Sequence, residues 1–540
     1  MSIKRCLFTL VSVAALSHLA TADHDDYGDD YGDDCEGDDL PVTSTTVCNG
    51  QTYVYNELAG FGFVANDARD KVGDTIGGIG SAIAIDRKSW RLHRNGSYTG
   101  LLYGLPDRGW NTEGTLNVQN RIHKFQITFT PDEDATVANP SPPNLLFRYL
   151  DSIFLTDPAG TPTTGLDADV RGPYLSFSGL GASDVPSAHY TGDGFGNAGP
   201  GGNRVTVDSE GLFLGHDGTF WISDEYGPYI YHFSANGSMI GAIRPPDALI
   251  PNRNGSESFS ANSPPRYNPN LAPVPGDPKS GRSNNQGFEG LTVSPDGRTL
   301  YAMLQSAIIQ EGGSKNPTSG NTRFLSYDIS SHPPKYLAEY IVPQSHVVPN
   351  DTTTKIARES EIHYVSPTQF LILARDSNAG RGQGNSTTSI YRHIDVFDIS
   401  KATNIKGASA DSTNGSVASS TGVLNKGTSN ITVTPAQYCS WLDFNLNSQL
   451  NRFGVRNGGA QSNGLLNEKW ESIGILPVNP DDDEVNEYFI ISMSDNDFIT
   501  QHGYVNFGKM PYADSSGYSL DNQALVFRVT LPEDSQPLVS

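Results

Sequence analysis

Arg282 to Ser306, RSNNQGFEGLTVSPDGRTLYAMLQS, reads as one β-hairpin. Leu291 and Val293 lead into the turn Ser294-Pro295-Asp296-Gly297, and Thr299 to Leu304 follows as a second β-prone run. In that run Leu300, Ala302 and Leu304 alternate with Tyr301 and Met303, so both faces are apolar and the sheet must be covered on both sides. Antiparallel pairing brings the start of the first strand beside the end of the second, which places Glu289 near Gln305 at one rim.

The unit recurs along the chain. Glu210-Gly211-Leu212 reaches Asp217-Gly218, and Thr219 to Ser223 then runs into Asp224-Glu225. Glu361 leads through Ser366-Pro367 to Phe370–Ala374 and Arg375-Asp376, and Glu471 opens a longer copy that ends at Asp495-Asn496-Asp497. A degenerate copy starts at Gly80-Ser81 and ends at Asp107-Arg108. Short aromatic and β-branched runs punctuated by 56 glycines and 34 prolines fit an all-β fold. Unequal spacing between copies suits a β-propeller, six-bladed in this reading, with long loop insertions.

Lys4 and Arg5, the apolar run Cys6 to Ala15 and the small residues Ala20-Thr21-Ala22 read as a secretory signal over 1–22. The expected order is then an acidic, disordered leader over 23–44 and one propeller domain over 45–540. The leader carries ten carboxylates between Asp23 and Asp39 and no Lys or Arg, spaced unlike an EF-hand loop. The whole chain has a formal charge of −24, which disfavours nucleic acid and anionic membranes as partners. A secreted, extracellular glycoprotein is expected, with sequons at Asn95, Asn236, Asn254, Asn350, Asn385, Asn414 and Asn430. Once Cys6 leaves with the signal, Cys35, Cys48 and Cys439 remain. Thr45 to Tyr55 reads as one strand-like run. Cys48 and Cys439 each lie beside such a run, Thr52 to Tyr55 and Trp441 to Phe444, and are expected to pair, leaving Cys35 in the leader. Lys401 to Ser429 is poor in apolar residues and reads as a disordered loop.

Asp107-Arg108-Gly109, the run Trp221 to Tyr231 (WISDEYGPYIY), Gly287-Phe288-Glu289-Gly290-Leu291, Arg375-Asp376 and Ser494-Asp495-Asn496-Asp497 occur in this order. Together they resemble the family called esterase-like activity of phytase, from about Gly77 to Val529. The resemblance implies a secreted or periplasmic β-propeller that hydrolyses phosphoester or ester bonds. The chain departs from the family pattern at Glu471-Ser472, where Glu-Gly is usual, and at Ala374-Arg375, where an acidic residue often precedes the arginine.

The repeated rim carries the chemistry. Glu210, Asp224, Glu289, Glu361, Asp376, Glu471 and Asp495 are the expected ligands of a divalent metal, calcium first, because hard cations take several oxygen donors. Arg108, Arg282, Arg375 and Lys469 are the expected phosphate-binding groups, and Glu289, Asp224, Arg108 and Arg375 the catalytic ones. A small phosphoester or ester is the expected substrate. Metal-dependent lactone or aryl-ester hydrolysis on a set such as Glu289, Asn285 and Asp495 is the alternative. A non-catalytic glycan or protein binder would instead use Trp110, Trp221, Tyr226 and Tyr229 as an aromatic platform. No G-x-S-x-G elbow supports a serine nucleophile.

Overall fold

The computed structural model describes residues 40–182, 184–313, 317–348, 354–482, 486–533 and 535–538. The expected signal, most of the acidic leader, Cys35 and Asn350 lie outside the described residues. Within Pro41–Ser540 most of the described strands fall into five groups of antiparallel neighbours, with four two-stranded ribbons beside them. Sheet I comprises Ala82–Ile85, Tyr98–Leu105, Arg121–Phe129 and Leu145–Phe154. Sheet II comprises Ser209–Leu214, Phe220–Asp224, Ile230–Phe233 and Met239–Ile243. Sheet III is Phe288–Val293, Thr299–Leu304, Asn321–Asp328 and Lys335–Pro343, and sheet IV is Arg358–Tyr364, Gln369–Arg375, Arg392–Asp398 and Gln437–Asp443. Sheet V orders Lys469–Trp470 and Gly474–Pro477 against Glu487–Asp495, then Asn522–Thr530 and Gln51–Val64. A single parallel pair, Gly62 with Leu145, joins sheets I and V into one eleven-stranded path.

Each hairpin read from the sequence opens one of these groups, because turn residues and β-branched runs fix its ends locally. In sheet III every residue from Leu300 to Leu304 is buried, as a strand apolar on both faces requires. First strands pack on one another in chain order: Ala82–Ile85 on Ser209–Leu214, that strand on Phe288–Val293, and that on Arg358–Tyr364. Gly474–Pro477 returns to Ala82–Ile85. Phe324, Phe370 and Phe397 join sheets III and IV edge to face and stacked, at centroid distances of 4.9 to 5.2 Å.

Two readings of the sequence are corrected. The run from Thr45 to Tyr55 is a hairpin rather than one strand: Ser44–Cys48 pairs with Gln51–Val64 across Asn49 and Gly50, both at positive φ, as a tight Asn-Gly turn demands. Lys401 to Ser429 is also ordered. Ile405, Ala410 and Val417 close over Ile341, and buried Glu311 accepts from the Val417 backbone N–H at 2.5 Å while ion-pairing with Arg323 at 2.7 Å. A small apolar cluster plus one satisfied buried ion pair holds a segment whose composition alone looks unfoldable.

Cys48 and Cys439 form a disulfide across 391 residues of sequence, tying the N-terminal hairpin to the last strand of sheet IV. The six described sequon asparagines are all exposed. Replacing both Cys48 and Cys439 by Ser is expected to lower stability by about 2–5 kcal/mol. Denaturant titration of the double variant checks this.

Candidate functional site

The first strands of sheets II and III each carry an extra residue near their start. In sheet III the pairing passes from Phe288–Leu304 directly to Gly290–Met303, so Glu289 is the bulged residue. In sheet II the same slip falls between Ser209 and Leu212 and takes in Glu210. A bulge re-aims its side chain, and here it turns both glutamates into one cavity. The glycine after each is required by the neighbouring sheet. A Cβ on Gly211 would lie 2.4 Å from the Leu291 Cβ, and one on Gly290 would lie 2.2 Å from Glu359 Oε1 and 2.9 Å from the Ile362 backbone nitrogen. Ser223 locks the arrangement: its hydroxyl accepts from the Gly211 N–H at 2.6 Å and donates to the Glu289 carbonyl at 3.0 Å.

Sheet IV has the same bulge, but between Glu359 and Glu361, so Ser360 is the residue that corresponds to Glu289. The offset that aligned Glu361 with Glu289 in the sequence is therefore wrong by one residue. A slip of one sends a strand side chain to the other face. Glu361 accordingly lies away from the cavity, where one oxygen accepts from the Leu291 and Ile362 N–H groups at 2.9 and 2.8 Å.

The cavity holds about 360 Å³ and every residue lining it is polar, with Glu210, Glu225, Glu289, Glu471, Arg358 and Arg375 at its centre. A larger cavity of about 620 Å³, by Trp90, Phe213 and Leu538, lies at the turn end of sheet II's first hairpin and carries no comparable cluster of buried carboxylates. Of the seven expected ligands, Glu210, Glu289 and Glu471 line the smaller cavity. Asp495 pairs with Lys469 at 2.8 Å. Asp224 accepts from the Asp208, Tyr226 and Gly227 N–H groups at 2.9 to 3.0 Å, and Asp376 accepts from the Ser389 hydroxyl and the Ile390 N–H. These two, like Glu361, close turns and sheet contacts.

The expected phosphate-binding cations are mostly engaged. Arg282 is fully buried and donates to the carbonyls of Tyr226, Phe259 and Ser283. Arg375 lines the cavity but is held by Glu471, and Lys469 contacts Asp495, Asp497 and Glu471 at 2.8, 2.9 and 3.6 Å. Arg108 lies behind the cavity with Nη1 3.0 Å from Asp208 Oδ2. The four aromatic residues offered as a binding platform are buried: Trp110 stacks on Tyr512, Trp221 on His232, and the Tyr226 hydroxyl donates to the Gly165 carbonyl. Tyr229 packs on Phe259.

Sequence reasoning passed over Asp208 and Glu225, which with Glu210 bring carboxylate oxygens within 4.8 Å of one another. Their only sequence signal is adjacency to the Glu210 and Asp224 hairpin ends. Asp208 Oδ1, Glu225 Oε1, Glu289 Oε2 and Asn285 Oδ1 are buried without a hydrogen-bond donor. Unpartnered oxygens in a carboxylate cluster fit a hard divalent cation by number and chemistry. Burial raises the pKa of Glu210 and Glu289 well above the carboxylate range; Glu289 pushes Glu210 up further, and Glu225 does the same to Glu289. Burial lifts Asp208 to about 7 against the pull of Arg108, and lifts Asp224 to about 7 against its backbone donors.

Comparison with known proteins agrees with the motif order. The family described as Phytase-like, esterase-like activity of phytase, matches residues 75–498. An uncharacterized secreted protein of Arthroderma benhamiae is 52% identical over 476 residues, covering 86% of this chain and 91% of its own. Among solved structures, a Bacteroides fragilis protein described as a 6-phosphogluconolactonase covers 88% of this chain and 93% of its own at 9% identity and a TM-score of 0.26. Kluyveromyces lactis Hsv2 covers 64% and 87% at 11% identity and a TM-score of 0.20.

A carboxyl whose pKa is higher folded than unfolded binds extra protons in the native state. Its contribution is complete below the unfolded value near 4 and is lost as the pH rises through the folded value. In chelator, thermal stability is therefore expected to fall as the pH is raised from about 4 to about 7, the window set by Asp208 and Asp224. Calorimetric melting across that range checks the sign, and Asp208→Asn should flatten the slope.

Proposed function

The chain belongs to the phytase-like family, and on that premise we propose that it is a secreted, cation-dependent hydrolase of small polar phosphoesters. The observation that carries this reading is the cluster of unpartnered buried carboxylate oxygens beside guanidinium groups in an all-polar cavity. A lining without aliphatic or aromatic side chains gives an aryl leaving group or a carboxylic ester's acyl chain no apolar contact, which favours a phosphoester over an aryl ester. The five strand groups, with first strands packed in chain order, support a propeller of five sheets rather than six.

Asp208, Glu210 and Glu225 would hold the cation, calcium by preference, with Asn285 offering a further oxygen. A bound divalent ion supplies positive charge for a phosphoryl oxygen and acidifies a bound water. Glu289 carries one unpartnered oxygen and is kept protonated by its burial and by Glu225, so its role is to donate a proton to the leaving oxygen. Arg375, steadied by Glu471, stands where negative charge develops. The cavity is otherwise acidic, so an anionic substrate enters only once its carboxylates are neutralised.

Calcium titration and turnover of a phosphomonoester test the assignment together. Glu225→Gln should weaken calcium binding at least about tenfold. Glu289→Gln should leave the fold intact and lower turnover by about 10²- to 10⁴-fold. Wild-type protein that neither binds calcium nor turns over a phosphomonoester would refute the proposal.

A further inference from the structure

The walls of the cavity differ in sign. Sheets II and III present carboxylates at their bulges, Glu210 and Glu289, and Glu225 follows the second strand of sheet II. The sheet IV residues that line the cavity are Arg358, Ser360 and Arg375, joined by Ser377 just past the second strand: two guanidiniums and two hydroxyls with no carboxylate. Ser360 sits in the bulge, while the neighbouring Glu359 and Glu361 are absent from the lining.

Arg358 stands apart from the other cations here. Lys469 contacts three carboxylates, Arg375 is paired with Glu471, Arg108 with Asp208, and Arg282 is saturated by backbone carbonyls. Among the described residues the Arg358 guanidinium has no hydrogen-bond or ion-pair partner, although its side chain lines the cavity and is only partly exposed. Burial, more than the nearby Glu225 and Arg375, sets its pKa, holding it below the usual arginine range. A bound anion would relieve that penalty. The planar fork of an arginine matches two oxygens of a tetrahedral oxyanion at once.

We infer that the sheet IV wall is the oxyanion pocket of this site and that Arg358 is its anchor, gripping a phosphate group opposite the carboxylate wall. The inference rests on the hydrolase reading above for its cation. The phosphate could be that of a substrate or free inorganic phosphate left as product, and both present the same oxygens.

The test is calorimetric titration of the full-length protein with inorganic phosphate, with and without saturating calcium, alongside a calcium titration of each variant. Arg358→Gln is expected to weaken phosphate binding about tenfold or more while calcium affinity stays unchanged, and Arg358→Lys to recover only part of the loss. In turnover the same variant should raise KM for a phosphomonoester and the inhibition constant of phosphate in parallel if one pocket serves both. A raised KM with unchanged phosphate inhibition assigns Arg358 to the substrate's group alone. Calcium binding with undiminished phosphate affinity and an unchanged KM in both variants overturns the inference. If the wild type neither binds calcium nor turns over a phosphomonoester, the hydrolase reading fails. The anchor then stands only if phosphate still binds and Arg358→Gln abolishes it, and falls if phosphate does not bind. Should Arg358→Gln not fold, Arg358→Lys decides by the same criteria.

Discussion

Bringing Asp208, Glu210, Glu225 and Glu289 together out of water is the constraint to which the rest of the site answers. Four carboxyl groups at close quarters resist ionisation, and burial compounds the repulsion. Cations of the chain neutralise the neighbouring groups: Lys469 among Asp495, Asp497 and Glu471, and Arg375 beside Glu471. Arg108 pairs with Asp208. The remaining oxygens await either protons or an external ion, so one cavity is held between two charge states. A site in that condition is sensitive to acidity in a way that a neutral pocket is not.

Much of the fold was legible because its signals are local. Ser294-Pro295-Asp296-Gly297 and the runs on either side of it state a hairpin without help from the rest of the chain, and the four related hairpins repeat the statement. The pairing of Cys48 with Cys439 followed from two strand-like runs. The site was less legible because it depends on register. Glu289 and Glu361 look equivalent by their distance from a Ser-Pro turn, yet the bulge in sheet IV falls on Ser360 and inverts the direction of every neighbour. A one-residue bulge leaves no mark on composition or periodicity.

Partnering was equally hidden. Asp224 and Asp376 end their hairpins as Asp495 does, but their oxygens are taken by backbone and side-chain donors from the following loops. Arg282 carries a charge in the sequence and serves in the structure as a hub for backbone carbonyls. The order of Lys401 to Ser429 rests on Glu311 and Arg323, roughly a hundred residues earlier, which no reading of the segment itself could supply.

Sheet V places Asn522–Thr530 between Glu487–Asp495 and Gln51–Val64, so residues from the two ends of the chain are neighbours in one ladder. Gln51–Val64 therefore lacks this neighbour, and Glu487–Asp495 lacks one of its own, until Asn522–Thr530 has been synthesised. Co-translational folding can finish sheets II, III and most of IV, but not this one. The same arrangement makes the protein intolerant of premature termination: a chain stopped before Asn522 would present two unpaired strand edges to its surroundings and invite edge-to-edge aggregation.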